Sequence, residues 1–248
     1  VSYPERIVPD ETSAGILAIH LKRYELASAY CHGKVVLDAA CGVGYGTAYL
    51  GRTAASVLGV DLDEDAIAYA QERYAAANVS FAVSDVVNVQ VAPETFDVVC
   101  SFETIEHLRE PGAFVAEVAR VLKSTGVLIA STPQASETTR SPRNPFHTIE
   151  FAAHDFESLL REHFVEIELF GQSRRETRRH RLLRRADVLG LRRRLPVGRM
   201  VSALTGSATT TNLTLDDVAI ERGNLAHATE IVAICRHPRR EPSAPESD

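Results

Sequence analysis

Apolar positions along the chain fall into two alternating patterns. Between residues 14 and 30, Ile16, Leu17, Leu21, Tyr24 and Leu26 recur at helical spacing with His20 among them, which predicts a helix. The apolar run 35–37 then ends in Asp38 and a glycine-rich turn, and small residues continue into a helix at 45–52. Further short apolar runs at 56–60, 79–83, 96–100 and 126–130 are interleaved with helical stretches at 64–77 and 111–122. Asp61, Asp85 and Ser101 stand just after three of these runs. Short apolar strands alternating with helices predict βαβ units and a parallel sheet covered on both faces. Open sheets of this kind bind ligands beyond the carboxyl ends of their strands, where these polar residues recur.

The pattern changes after residue 150. Residues 156–164 read as a helix and 164–170 as a strand, in which Val165, Ile167 and Leu169 alternate with polar positions. Residues 230–235 read as a last strand, which leaves the stretch 171–229 between the two. Within it, eleven arginines stand against Glu176 and Asp187 between Arg174 and Arg199, a local charge near +9. The segment 202–214 reads as a loop and the tail 238–248 as disordered. The 248 residues suit one domain, 1–248, with 1–33 forming an N-terminal lid or covering helix.

Charge and composition narrow the function. Against 33 acidic residues stand 27 Lys and Arg, a net charge of −6, which argues against a dedicated nucleic-acid-binding protein. The stretch 171–229 contains no aromatic residue, so it offers no platform for stacking bases. No apolar run reaches membrane-span length, and Val1, Ser2, Tyr3 and Pro4 supply no apolar signal core, so a cytoplasmic location is expected. Four cysteines without CxxC spacing fit reduced thiols better than a zinc site or a disulfide framework.

The first chemical signal is the turn from Asp38 through Cys41, Gly42, Gly44 and Gly46. Glycines at a strand-to-helix turn let the backbone approach a ligand and offer it N–H groups. Asp61 stands where an acid binds ribose hydroxyls, and Asp85 is placed to accept from an adenine amine. Singly, each carboxylate is equally a helix cap or a strand-end residue; their register with the glycines points to a nucleotide-like ligand. A dinucleotide fits less well, because Thr47 stands where its fingerprint needs glycine. At these residues the chain resembles the class I S-adenosylmethionine-dependent methyltransferases, strongly over 34–132 and more weakly to 170. The resemblance implies a Rossmann-like, seven-stranded sheet flanked by helices. Strands 164–170 and 230–235 would form its final hairpin, with the Arg-rich segment 171–229 inserted between them. It further implies that Asp38, Ala40, Gly42, Gly44, Asp61, Leu62, Asp85, Val86 and Ser101 surround S-adenosylmethionine.

The second signal follows the fourth strand. If that turn is helical, Glu103, Glu106 and His107 share one face. With His147, from the loop after the fifth strand, they make a candidate two-Glu, two-His metal site for Mg²⁺ or Mn²⁺. This set resembles the E-x-x-E-H motif and downstream His of two metal-dependent groups: methyltransferases of RNA 3′ ends, and bacterial sugar and polysaccharide O-methyltransferases. Phe102–His107 together with Asn144–His147 is closer to the saccharide group. The resemblance implies methyl transfer from S-adenosylmethionine to a hydroxyl of a saccharide or similar small molecule, with His147, His107 and Glu106 catalytic. Three alternatives stand beside it: an RNA 3′-terminal 2′-O-methyltransferase, a small-molecule enzyme using a His base without metal, and a non-catalytic cofactor-binding protein. A homodimer is compatible with all of them.

Overall fold

The computed structural model describes residues 5–175 and 213–240. The expectations for the tail beyond Arg240 and for most of the Arg-rich stretch lie outside the described residues. In chain order the elements are α1 (Ala14–Cys31), β1 (Val35–Ala39), α2 (Tyr45–Leu50), β2 (Ser56–Asp61), α3 (Glu64–Tyr74), β3 (Val79–Val83), β4 (Phe96–Phe102), α4 (Pro111–Val121), β5 (Leu122–Pro133), α5 (Ala153–His163), β6 (Phe164–Arg174), β7 (Val218–Arg222) and β8 (Glu230–Pro238). They form one sheet in the order β3-β2-β1-β4-β5-β8-β6-β7. The first five strands in that order are parallel, and β8 runs antiparallel between β5 and β6. Helices cover both faces: α4 and α5 pack Phe114, Val118, Phe156 and Leu160 on one, and α1 packs Tyr24, Ala27 and Cys31 on the other. No helix of the described residues is long and apolar enough to cross a membrane.

Local chemistry sets the element ends. The Asp63 side chain caps α3 by accepting from the Ala66 N–H, with Glu64 and Asp65 in the first turn facing the positive end of the helix dipole. That helix stops at Tyr74, short of 77, because Ala75 turns extended and Ala76 bridges to Val79. Pro111 opens α4, where its missing N–H costs nothing.

Three expectations are corrected. The sheet has eight strands rather than seven, because β6 continues past Phe170 to Arg174 and pairs with β7 along that extension. Gly171 permits the close packing there, since a Cβ at this position would lie 1.8 Å from the Asn224 carbonyl oxygen. The segment 171–229 is therefore not a plain insertion between two strands: its first residues belong to β6, and residues 218–222 form an edge strand. Its run Val218–Ile220 is too short, and too closely followed by Glu221 and Arg222, to stand out as a strand. Finally, residues 238–240 are held rather than disordered. Pro238 ends β8 opposite Phe164, and the Arg240 guanidinium donates to the carbonyls of Ala119 (2.7 Å) and Leu122 (2.6 Å).

The glycine turn sits at the carboxyl end of β1, in the middle of the sheet. Ala40, Gly42 and Gly44 all have positive φ (63°, 55° and 83°), which coils the backbone before α2. Beneath it the Asp38 carboxylate is fully buried and accepts from Thr47 Oγ1 at 2.7 Å and Tyr24 Oη at 3.3 Å. Burial pushes its pKa from 3.8 up to about 7 against the lowering effect of those two hydroxyls.

Two outcomes are expected. A Cβ at Gly46 would stand 1.9 Å from the Tyr24 ring, so Gly46→Ala should cost about 1–3 kcal/mol of stability in urea denaturation. The folded chain holds the Asp38 proton more tightly than the unfolded chain does. This favours folding at pH below 3.8 and is lost as pH rises toward about 7. Asp38→Asn should therefore gain on the parent, ligand-free protein across that range by up to about 4 kcal/mol. A stability difference independent of pH would contradict the assignment.

Candidate active site

A cavity of about 750 Å³ opens along the carboxyl ends of β1, β2 and β4. One half is lined by Ala40, Gly42, Asp61, Leu62, Asp85 and Val86, the residues expected around the cofactor. Asp38, Gly44 and Ser101 lie behind this wall rather than in it; Ser101 donates to the Ala39 carbonyl oxygen at 3.0 Å and so braces β1 against β4. Asp61 accepts from the Gly42 N–H (2.8 Å) and the Asp63 N–H (3.0 Å), which fixes the carboxylate at the mouth of the turn. Asp85 accepts from the Val87 N–H, and Leu62 is 70% exposed over the cavity, an apolar surface for a flat ring.

The N-terminal segment crosses this half. Arg6 donates to Asp63 at 2.6 Å and lies 3.7 Å from Asp61, Val8 packs with Val43 and Ala66, and Asp10 pairs with Arg73. Glu5, Arg6 and Ile7 of this segment stand on the cavity wall.

The other half is built where β4 ends. Glu103 takes a positive φ (53°), and only Ile105–His107 form a helical turn, of the tight 3-10 kind. Glu103, Glu106 and His107 therefore do not share a helical face. Glu103 accepts from Ser131 Oγ and faces the buried Arg23 of α1 at 3.3 Å. Glu106 is fully buried, with Oε2 accepting from Thr132 Oγ1 at 3.0 Å. Its Oε1 has no hydrogen-bond partner. Burial, reinforced by the charge of Glu103, raises the Glu106 pKa well above the ordinary carboxyl value.

His107 meets instead the loop after β5. The Thr148 and Ile149 N–H groups both donate to the Glu106 carbonyl (2.7 and 3.2 Å), and Thr148 Oγ1 donates to the carbonyls of Glu106 and Leu108. This staple sets the rings of His107 and His147 edge to face, 4.9 Å apart. His107 Nδ1 lies 3.0 Å from the Phe146 carbonyl oxygen, an acceptor only, so Nδ1 carries the hydrogen and Nε2 the lone pair. His147 Nδ1 lies 3.2 Å from Glu150 Oε1, which selects the same tautomer. Phe146, 39% exposed, adds an aromatic face to the cavity.

Of the four residues expected to ligate a metal, the two histidines come together, while Glu103 and Glu106 are engaged elsewhere. Among the described residues, ligand atoms of Glu5, His107 and His147 lie within 4.8 Å of one another. Glu5 was not among the residues singled out from sequence, and neither Arg23 nor the Glu150–His147 contact was anticipated. The signal for that contact was present in the three-residue spacing. Spacing also marks His20, Arg23 and Tyr24 as one helix face. Arg23 donates to His20 Nδ1 at 2.8 Å, so the lone pair of that neutral ring is taken and its Nε2 carries the hydrogen. Burial and the charge of Arg23 lower the His20 pKa well below the ordinary value.

Comparison with known proteins places this geometry. Residues 37–130 match the family model described as a methyltransferase domain. Over 172 residues the chain is 36% identical to a Mycobacterium tuberculosis protein named “probable S-adenosylmethionine-dependent methyltransferase”. The alignment covers 67% of this chain and 62% of that protein, so the chain spans about three-fifths of this relative's length. In fold it resembles a S-adenosylmethionine-dependent methyltransferase from Thermotoga maritima (TM-score 0.60, 14% identity, 90% of this chain and 92% of that one). It equally resembles the [4+2]-cyclase SpnF (TM-score 0.58, 20% identity, 93% and 86%), so the fold by itself does not name a reaction. Residues 37–130 thus carry the sequence match to a methyltransferase domain, and the sheet of the described residues carries the likeness in fold.

Proposed function

We propose that this protein transfers a methyl group from S-adenosylmethionine to a hydroxyl of a saccharide, with a divalent metal assisting. The observation that carries the reading is the His107–His147 pair, whose Nδ1 hydrogens are both held by outside acceptors. Its rings share the cavity with the glycine turn and Asp61. S-Adenosylmethionine supplies an electrophilic methyl on sulfonium, and a polyol supplies hydroxyl oxygen as the nucleophile. An alcohol is a weak nucleophile at neutral pH, so the site must stabilise its deprotonated form. Asp61 holds the ribose hydroxyls, and the glycine turn brings backbone N–H groups to the ligand. Tyr24, Tyr45 and Phe102 wall the cavity between the two halves and exclude water. Phe146 offers its face to the apolar side of a sugar ring, and the orphaned Glu106 Oε1 offers a buried partner to a second hydroxyl. Most of the rate enhancement then comes from holding acceptor oxygen and methyl in line.

The donor set fits a metal in part. Imidazoles whose Nδ1 atoms are fixed by a carbonyl and a carboxylate are arranged as metal-ligating histidines are. A divalent ion on their Nε2 atoms would lower the pKa of a bound hydroxyl. The Glu150–His147 contact favours a second reading, in which His147 Nε2 itself takes the acceptor proton while Glu150 holds the ring.

Asp61→Ala should weaken S-adenosylhomocysteine binding by about tenfold or more in calorimetric titration. Unchanged affinity would remove Asp61 from the ribose site. Against a panel of mono- and oligosaccharides, His147→Ala should lower turnover by about 10² to 10⁴-fold. Loss of parent activity on chelation and its return with Mn²⁺ support the metal-assisted form. Activity that survives chelation and falls with Glu150→Gln supports the imidazole base. Methyl transfer to RNA ends and to no saccharide overturns the proposed acceptor.

A further inference from the structure

Glu5 reaches the acceptor corner from the other end of the chain. Asn144 Nδ2 donates to Glu5 Oε1 at 2.7 Å and approaches His147 Nε2 at 2.9 Å, while Asn144 Oδ1 accepts from the Phe146 N–H and fixes the amide orientation. A carboxylate oxygen and an imidazole lone pair thus converge on a single electropositive NH₂ group. His107 presents its own ring 4.9 Å from that of His147, and ligand atoms of all three residues lie within 4.8 Å of one another. Two of the donors are oriented from behind: His107 by the Phe146 carbonyl and His147 by Glu150. Glu5 is exposed, but the segment that carries it is tied down just after it, by Arg6 on Asp63 and by Val8 against Val43 and Ala66.

We infer that Glu5, His107 and His147 form a two-imidazole, one-carboxylate site for a transition-metal dication, completed by the N-terminal segment. The inference rests on the metal-assisted reading above and adds to it which carboxylate serves and which ions are accepted. The cation displaces the Asn144 amide from between Glu5 and His147. Three protein donors leave positions open for water or for two neighbouring hydroxyls of the acceptor. Two nitrogen donors suit Mn²⁺, Fe²⁺, Co²⁺ or Zn²⁺, whereas Mg²⁺ prefers an all-oxygen shell and retains its waters. The carboxylate of Glu103 is drawn toward Arg23 and Ser131, and that of Glu106 toward Thr132, so neither supplies the third donor. Because Arg6 adjoins Asp61, closing Glu5 onto the metal also holds the segment over the ribose site.

The test is Mn²⁺ titration of the metal-stripped full chain, followed by electron paramagnetic resonance, in the parent and in Glu5→Gln and Glu103→Gln variants. One Mn²⁺ per parent chain is expected, with affinity lowered about tenfold or more by Glu5→Gln, unchanged by Glu103→Gln, and little displaced by excess Mg²⁺. Equal affinity in the parent and Glu5→Gln overturns the assignment, as does loss of binding in Glu103→Gln alone or ready displacement by Mg²⁺. Calorimetric titration of S-adenosylhomocysteine into the same samples reads the cofactor half separately. Cofactor binding without any Mn²⁺ binding in the parent overturns the site while leaving a methyltransferase with an imidazole base.

Discussion

Burial of the Asp38 carboxyl is the constraint around which the glycine-turn half of the cavity is organised. A carboxyl removed from water must find hydrogen bonds inside, or its burial costs several kcal/mol. Asp38 finds them in Thr47 of α2 and Tyr24 of α1, so two helices from different parts of the chain are tied to the end of β1. The space for this is made by small residues. Gly46 lies under the Tyr24 ring, and Gly44 lies under Phe81 and Ala70. A turn built for close approach to a ligand is thereby the same turn that fixes α1 on the sheet.

The position of α1 carries the constraint into the half of the cavity at the end of β4. Next to Tyr24 in the chain, the buried guanidinium of Arg23 needs a counter-charge and a partner, and it meets both Glu103 and His20. Breaking such a pair would leave an uncompensated buried charge, so Glu103 is held away from the imidazoles of His107 and His147. The strained backbone at Glu103 then swings the chain so that the Glu106 carbonyl receives the Thr148 and Ile149 N–H groups. That pair of backbone bonds brings His147 beside His107. This corner of the cavity thus depends on loops, as functional sites commonly do, but on loops stapled to the end of a central strand.

The alternation of short apolar runs with helical stretches located all five parallel strands to within a few residues, because each element's burial is written into its own few positions. The register of Asp38, Asp61 and Asp85 with the glycines was equally legible, since each lies next to the strand that carries it. The edge strand 218–222 was not: Glu221 and Arg222 face solvent and, of its five residues, only Val218 and Ala219 are buried. The helical face expected for Glu103, Glu106 and His107 failed on one backbone angle. A glutamate at positive φ is uncommon, and nothing in its neighbours announces it.

What the sequence determined by itself, then, is the layered α/β architecture, the glycine turn with its strand-end acids, and the presence of histidines and carboxylates in the loops after β4 and β5. These follow from interactions within a strand, a helix or a single turn, which a local pattern records. The tertiary structure alone decided which carboxylate meets which imidazole. Glu106 turns to Thr132 in the core, Glu103 to Arg23, and Glu5 to Asn144, 139 positions away in the chain. Such pairings are settled by where buried charge can be neutralised once the helices have packed, and no spacing along the chain encodes that competition.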